Sequence, residues 1–144
     1  KGEGILTHTF SHFGPCQGEF NQADTGSIVA DRAGEVTRYG IFTAQERGDI
    51  FVKPGTKAYE GMIVGSNSRN QDLDINVCKK KKLDNMRAAG SDEAMVLTPV
   101  TELSLEDALE YIDNDELIEI APENIRLRKK TLDKKKRVKA KKRD

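Results

Sequence analysis

The chain has 144 residues, 36% of them hydrophobic and 33% charged, which suits one domain, or a small domain plus a fragment of a neighbour, with a lean core under a charged surface. No window approaches the ~20 consecutive apolar residues of a membrane span, and Lys1 to Phe13 holds glycines, a glutamate and two histidines where a secretory signal needs an apolar stretch. The formal net charge of zero hides a strong asymmetry, because residues 1–75 carry −3, residues 76–124 carry −7 and residues 125–144 carry +10.

Gly4 to Phe13 alternates two sets of side chains, so it is expected to be a strand, ended by Gly14-Pro15. Cys16 to Gly26 is polar and glycine-punctuated, hence a loop. Ser27 to Asp31 and Glu35 to Phe42 read as two strands joined at Ala33-Gly34 into a hairpin. Thr43 to Gly48 fits one helical turn capped by Thr43. Short strands follow at Ile50 to Lys53, Ala58 to Val64 and Leu73 to Val77, separated by Pro54-Gly55 and a polar stretch from Ser66 to Asp72. Regular short strands with Gly and Pro turns suggest a small bent sheet or partial barrel.

Cys78 to Asp92 breaks every period. At this length a structureless connection is usually functional or disordered. Ala94 to Leu97 resumes as a strand. Ser104-Leu105-Glu106-Asp107 has the form of a capping box with a shorter acid, and Leu105, Leu109 and Ile112 recur at helical spacing. Glu116 to Ala121 and Ile125 to Arg128 alternate as strands on either side of Pro122. From Thr131 the chain is mostly Lys and Arg, either a frayed helix capped by Thr131 or Asp133, or a disordered tail. The fold class expected is α+β, mainly β, with one main helix, a long basic loop and a basic tail.

Several chemistries lack their motif. There is no phosphate-cradling Gly-rich loop with Lys-Ser/Thr, no Gly-x-Ser-x-Gly and no His-Glu-x-x-His. Cys16 and Cys78 lack metal-finger spacing and read as reduced thiols of a cytosolic protein. His8 and His12 would share one strand face, and with acidic residues they offer the alternative of a small metal-dependent enzyme. Without a close third ligand, two ordinary imidazoles are the plainer reading, and no metal is expected. The acidic stretch Glu106 to Glu119 lacks a calcium-loop pattern and reads as a solvated helix face.

Lys79, Lys80, Lys81 and Lys82, followed by Asn85 and Arg87, are the strongest local feature. Adjacent ammonium groups repel, and phosphates relieve that repulsion with counter-ion release. Asn85 and Arg87 add amide and guanidinium donors. Composition leaves two readings open, a phosphate-binding loop and a solvated lysine-rich one. Arg126, Arg128, Lys129 and Lys130, with the lysines and arginines after them, form a second basic element that suits nucleic acid, solubilising disorder or an acidic protein partner.

Four segments together resemble the C-terminal region of the BipA/TypA family of ribosome-binding translational GTPases. They are GEGILTHTFSHFGP from Gly2, ERGDIFVKPGTKAYEGMIVG from Glu46, DLDINVCKKKKLDNMRAAGSDEA from Asp72, and LSLEDALEYIDNDELIEIAPENIRLRKK from Leu103. The resemblance is collinear from Gly2 to about Lys130. It implies a parent related to elongation factor G, with the GTP and magnesium site in a GTPase domain absent from this chain. This fragment would then be non-catalytic and hold no cofactor.

The resemblance further implies that residues 1–15 are the last strand of a preceding α+β domain, 16–130 the family-specific domain and 131–144 a basic tail. It places Asn76 to Asp92 against the acceptor end of tRNA and large-subunit rRNA near the ribosomal A site. The contacts would be Lys79, Lys80, Lys81, Lys82, Asn85 and Arg87. Asp84 departs from the Thr or Ser of the family pattern. The implied partners are the ribosome, rRNA and tRNA, with no membrane, for a cytoplasmic monomer serving ribosome assembly or stress-related translation.

Overall fold

The computed structural model describes residues 7, 9–15, 25–81, 96–122 and 124–140. Of the expected strand from Gly4 to Phe13, residues 7 and 9–13 are described and are not in a strand, and the rest of it lies outside the described residues, as do residues 82–92 of the expected loop from Cys78 to Asp92. Among the described residues there are seven strands and three helices, in the order β1 (Ser27–Ala30), β2 (Gly34–Glu35), α1 (Arg38–Gln45), β3 (Lys57–Ala58), β4 (Met62–Ser66), β5 (Leu73–Ile75), α2 (Leu105–Tyr111), β6 (Glu116–Ala121), β7 (Asn124–Lys129) and α3 (Lys134–Ala140). The fold is α+β and mainly β, as expected. Among the described residues the sheets do not close into a barrel.

The main sheet has strand order β5-β1-β4-β7-β6, with β1 and β5 parallel and the other pairs antiparallel, and β2 and β3 form a separate ribbon. Strand alternation sends side chains to two faces. Ile28, Ala30, Met62 and Val64 meet Ile41 and Ala44 of α1, with Val36, Ala58 and Val77 in the same cluster. Val29, Ile63 and Leu127 meet Ala108 of α2, with Tyr111 and Ile112 at its margin. Helices thus cover both faces of the central strands, and the buried side chains of β1 and β4 read as nearly continuous apolar runs.

Several local expectations hold. Ser104 and Asp107 make the full capping box, the Ser104 hydroxyl accepting the Asp107 amide at 3.1 Å and the Asp107 carboxylate accepting the Ser104 amide at 3.0 Å. The Ser104 hydroxyl also donates to the Asp107 carboxylate at 2.7 Å, and this bond, with that from the Ser104 amide, holds the Asp107 carboxyl below its usual pKa. β6 has the bounds expected, and β7 extends the expected final strand by one residue at each end. Part of the tail is helical, and Asp133 caps it by accepting the Lys136 amide at 3.0 Å.

The first hairpin is a correction. Glu35 to Phe42 is not a strand paired with Ser27 to Asp31. It contains the start of α1, and β1 pairs with β4 and β5 instead. The cause is Thr37, whose hydroxyl accepts the Gly40 amide at 2.9 Å and starts a helix that buries Gly40, Ile41 and Ala44. A helix rich in Tyr, Ile, Phe and Thr has the composition of a strand, and tertiary burial overrides that propensity. Thr43, expected as a cap, sits inside the helix and donates back to the carbonyls of Tyr39 and Gly40. Ile50 to Lys53 supplies only an isolated bridge from Ile50 to Gly65. Val96 and Leu97 are not in a strand, and the rest of that expected element lies outside the described residues.

Candidate nucleic-acid interface

The root of the lysine run is built by α1. After β5, the Asn76 side chain accepts the Cys78 amide at 3.0 Å and turns the chain, while Val77, 1% exposed, plugs into the core. A Cβ on Gly40 would stand 1.9 Å from the Val77 carbonyl oxygen, so only glycine lets helix and chain approach this closely. The Thr37 amide donates to that carbonyl at 3.1 Å, and the Thr37 hydroxyl donates to the Lys79 carbonyl at 2.5 Å. One residue therefore caps the helix and holds the backbone from which the lysines project.

Lys79, Lys80 and Lys81 are exposed. The Lys79 ammonium lies 5.6 Å from the centroid of the Tyr39 ring, a cation–π contact that fixes its direction while leaving its charge unneutralised. Neither Lys79 nor Lys80 makes an ion pair among the described residues. Lys80 and Arg38 line a hollow of about 530 Å³ together with Thr37, Pro54 and Gly55, and Glu35 is the one carboxylate of its lining among the described residues. The N-terminus of α1 adds its partial positive charge at the same end. Such an arrangement attracts phosphate. Lys82, Asn85 and Arg87, and Asp84 between them, lie outside the described residues.

The structure disperses the second basic element. Lys129 is 2% exposed, its ammonium 2.8 Å from Glu116 and 3.0 Å from both Asp72 and Asp115. Burial alone would depress its pKa, but hydrogen bonds to Glu116, Asp115 and Asp72 outweigh burial and hold it above the usual lysine value. Ser27 extends this network by donating to Glu116 at 2.6 Å, and its hydroxyl lies 2.9 Å from that of Tyr111. Burial is the main reason the Tyr111 phenol is pushed up to about 12.

The neighbours of Lys129 differ. Arg128 pairs with Glu119 at 2.7 Å, an ion pair without aligned hydrogen-bond geometry. The Lys130 ammonium donates to the Asn114 carbonyl at 2.5 Å. Arg126 is half-buried and makes no ion pair among the described residues. Arg137 pairs with Asp74 and donates to the Thr131 and Leu132 carbonyls, which fastens α3 to the sheet and leaves Lys135, Lys136 and Lys139 exposed.

His12 is exposed and hydrogen-bonded to Ser11 at 2.9 Å, whereas His8 lies outside the described residues. No group of three or more potential metal-ligating side chains occurs among the described residues. None of their helices is long and apolar enough to cross a membrane. Sequence reasoning missed Thr37, Arg38 and Tyr39 as parts of the site. The one available signal was a Thr three residues before Gly40, masked by the strand-like composition around it.

The model for the TypA/BipA C-terminal domain matches residues 25–134. The chain is 47% identical over 129 residues to the large ribosomal subunit assembly factor BipA of Synechocystis, covering 90% of this chain and 22% of that protein. It is 44% identical over 133 residues to the proteins of the same name from Salmonella typhimurium and Escherichia coli strain K12, covering 92% of this chain and 22% of each. The chain thus spans about a fifth of the length of these curated relatives. With the family match over most of the chain and a capped, lysine-bearing root on its surface, this chain belongs to the TypA/BipA C-terminal domain family.

Proposed function

We propose that this chain is the ribosome-docking part of a translational GTPase, and that the run beginning at Lys79 contacts RNA phosphates. The observation that carries this reading is the Lys79–Lys80 root, anchored by Thr37 and exposed, with no carboxylate paired to either ammonium among the described residues. Backbone is fixed while charge is left for a partner. The name of the relatives, a large-subunit assembly factor, is in keeping with rRNA as that partner.

The proposed contacts are Lys79, Lys80, Lys81, Lys82, Asn85 and Arg87, directed at the acceptor end of tRNA and large-subunit rRNA near the A site, in assembly or stress-related translation. Lys129 is left out, because its ammonium already answers three carboxylates of its own chain. Residues 1–15 would belong to the preceding domain of the parent and 16–130 to this one. GTP and magnesium would bind elsewhere in the parent, a cytoplasmic monomer off the ribosome. Binding of large ribosomal subunits across a salt series, for the parent protein and for a variant with Lys79 to Lys82 and Arg87 changed to Ala, tests the reading. The variant should bind more weakly, by a factor that shrinks as salt rises.

A further inference from the structure

We infer that a groove at the tip of the β6–β7 hairpin is a second RNA contact, one that takes an unstacked nucleotide of a single strand. This rests on the RNA-docking reading above and names the form of RNA. The groove has a volume of about 780 Å³, and its cations are Lys53, Lys57 and Arg126. Lys53 is bridged by Glu102, both side chains being exposed, while Lys57 and Arg126 make no ion pair among the described residues. Among the described residues the lining is therefore net positive, although the chain as a whole is formally neutral. A local excess of cations favours an anion.

The groove also has an apolar side. Ile120 and Ile125 are cross-strand partners, and Ile120 is 69% exposed, with Pro122 beside it. Duplex RNA presents phosphates outward and keeps its base faces stacked, so it gains nothing from an apolar wall. A single strand offers phosphate and base face together, and the groove answers both.

Position adds a second argument. The turn from Lys53 to Lys57 separates this groove from the Arg38–Lys80 hollow: Pro54 and Gly55 line the hollow, Lys53 and Lys57 the groove. That turn is pinned to the start of α1, the Gly55 amide donating to the Val36 carbonyl at 2.8 Å and the Val36 amide to the Thr56 carbonyl at 2.9 Å. A strand held by the lysine run reaches the groove by crossing this one fixed turn.

The test is fluorescence anisotropy of the 144-residue chain with a labelled single-stranded oligoribonucleotide and with the same strand annealed to its complement. The single strand should bind at least about fivefold more tightly than the duplex. Ile120→Ser should remove that preference at unchanged melting temperature, since the side chain is largely in solvent. Lys57→Ala with Arg126→Ala should weaken the single strand more than the duplex. Equal affinity for the two RNAs, or an Ile120→Ser variant with an undiminished preference, overturns the inference. If both RNAs bind and only Lys79→Ala with Lys80→Ala weakens them, the groove fails while the docking reading stands. If neither RNA binds, both fail.

Discussion

Thr37 and Lys79 are 42 residues apart and joined by a hydrogen bond of 2.5 Å from the Thr37 hydroxyl to the Lys79 carbonyl. The same hydroxyl accepts the Gly40 amide, so the start of α1 and the root of the lysine run share one side chain. Thr37→Ala should cost about 1 kcal/mol through loss of the cap. It should also weaken RNA binding without changing the number of charges. Thr37→Ser should restore both. Thermal melts alongside a binding titration check this, and undiminished affinity in Thr37→Ala would separate the cap from the interface.

Gly40→Ala places a methyl within van der Waals overlap of the Val77 carbonyl. Relief requires α1 or the loop root to move, at a cost of about 1–3 kcal/mol. The expected outcome is a lowered denaturation midpoint and a lowered RNA affinity together. Normal stability in this variant would show that helix and chain are not so tightly apposed.

Lys129 holds Glu116, Asp115 and Asp72 against one another. Lys129→Met should destabilise the fold by about 3–5 kcal/mol at neutral pH, because it leaves like charges crowded around a buried site. A denaturant series at neutral pH measures it. A loss below about 1 kcal/mol would place the network in water rather than in the fold.

The alkaline limb of stability follows from groups raised with the same sign, among them Lys129, Tyr111 and Tyr59. Lys129 is held above the ordinary 10.5, so its contribution is intact below that pH and is lost as pH rises through the folded-state value. Tyr111 is pushed from 10.0 up to about 12. Between those values the unfolded chain gives up a proton that the folded one keeps, which again favours unfolding. Stability should fall steadily above about pH 10. Tyr111→Phe should remove part of that slope and leave the shares of Lys129 and Tyr59.

The sequence and the structure agree where local signals coincide with tertiary ones. The capping box at Ser104 and Asp107, the alternation of Glu116 to Ala121 and the turn at Pro122 each specify an element without help from distant residues. Disagreement at α1 has the opposite cause: its buried face is chosen by Val77 and the sheet, which no local pattern announces. Lys129 looked like one more surface cation because its three carboxylates come from positions 13 to 57 residues away. The lysine run itself was legible as charge, but its anchor on Thr37 and Tyr39 was not.

The most direct measurement is the salt dependence of binding to large ribosomal subunits, compared between the parent protein and a variant with Lys79 to Lys82 and Arg87 replaced by alanine. Each phosphate that the variant no longer neutralises should lower the slope of log affinity against log salt by about 0.7–0.9. The expected result is therefore a flatter line lying below that of the unmodified protein at low salt. Two coincident lines would contradict an RNA-contacting role for the run.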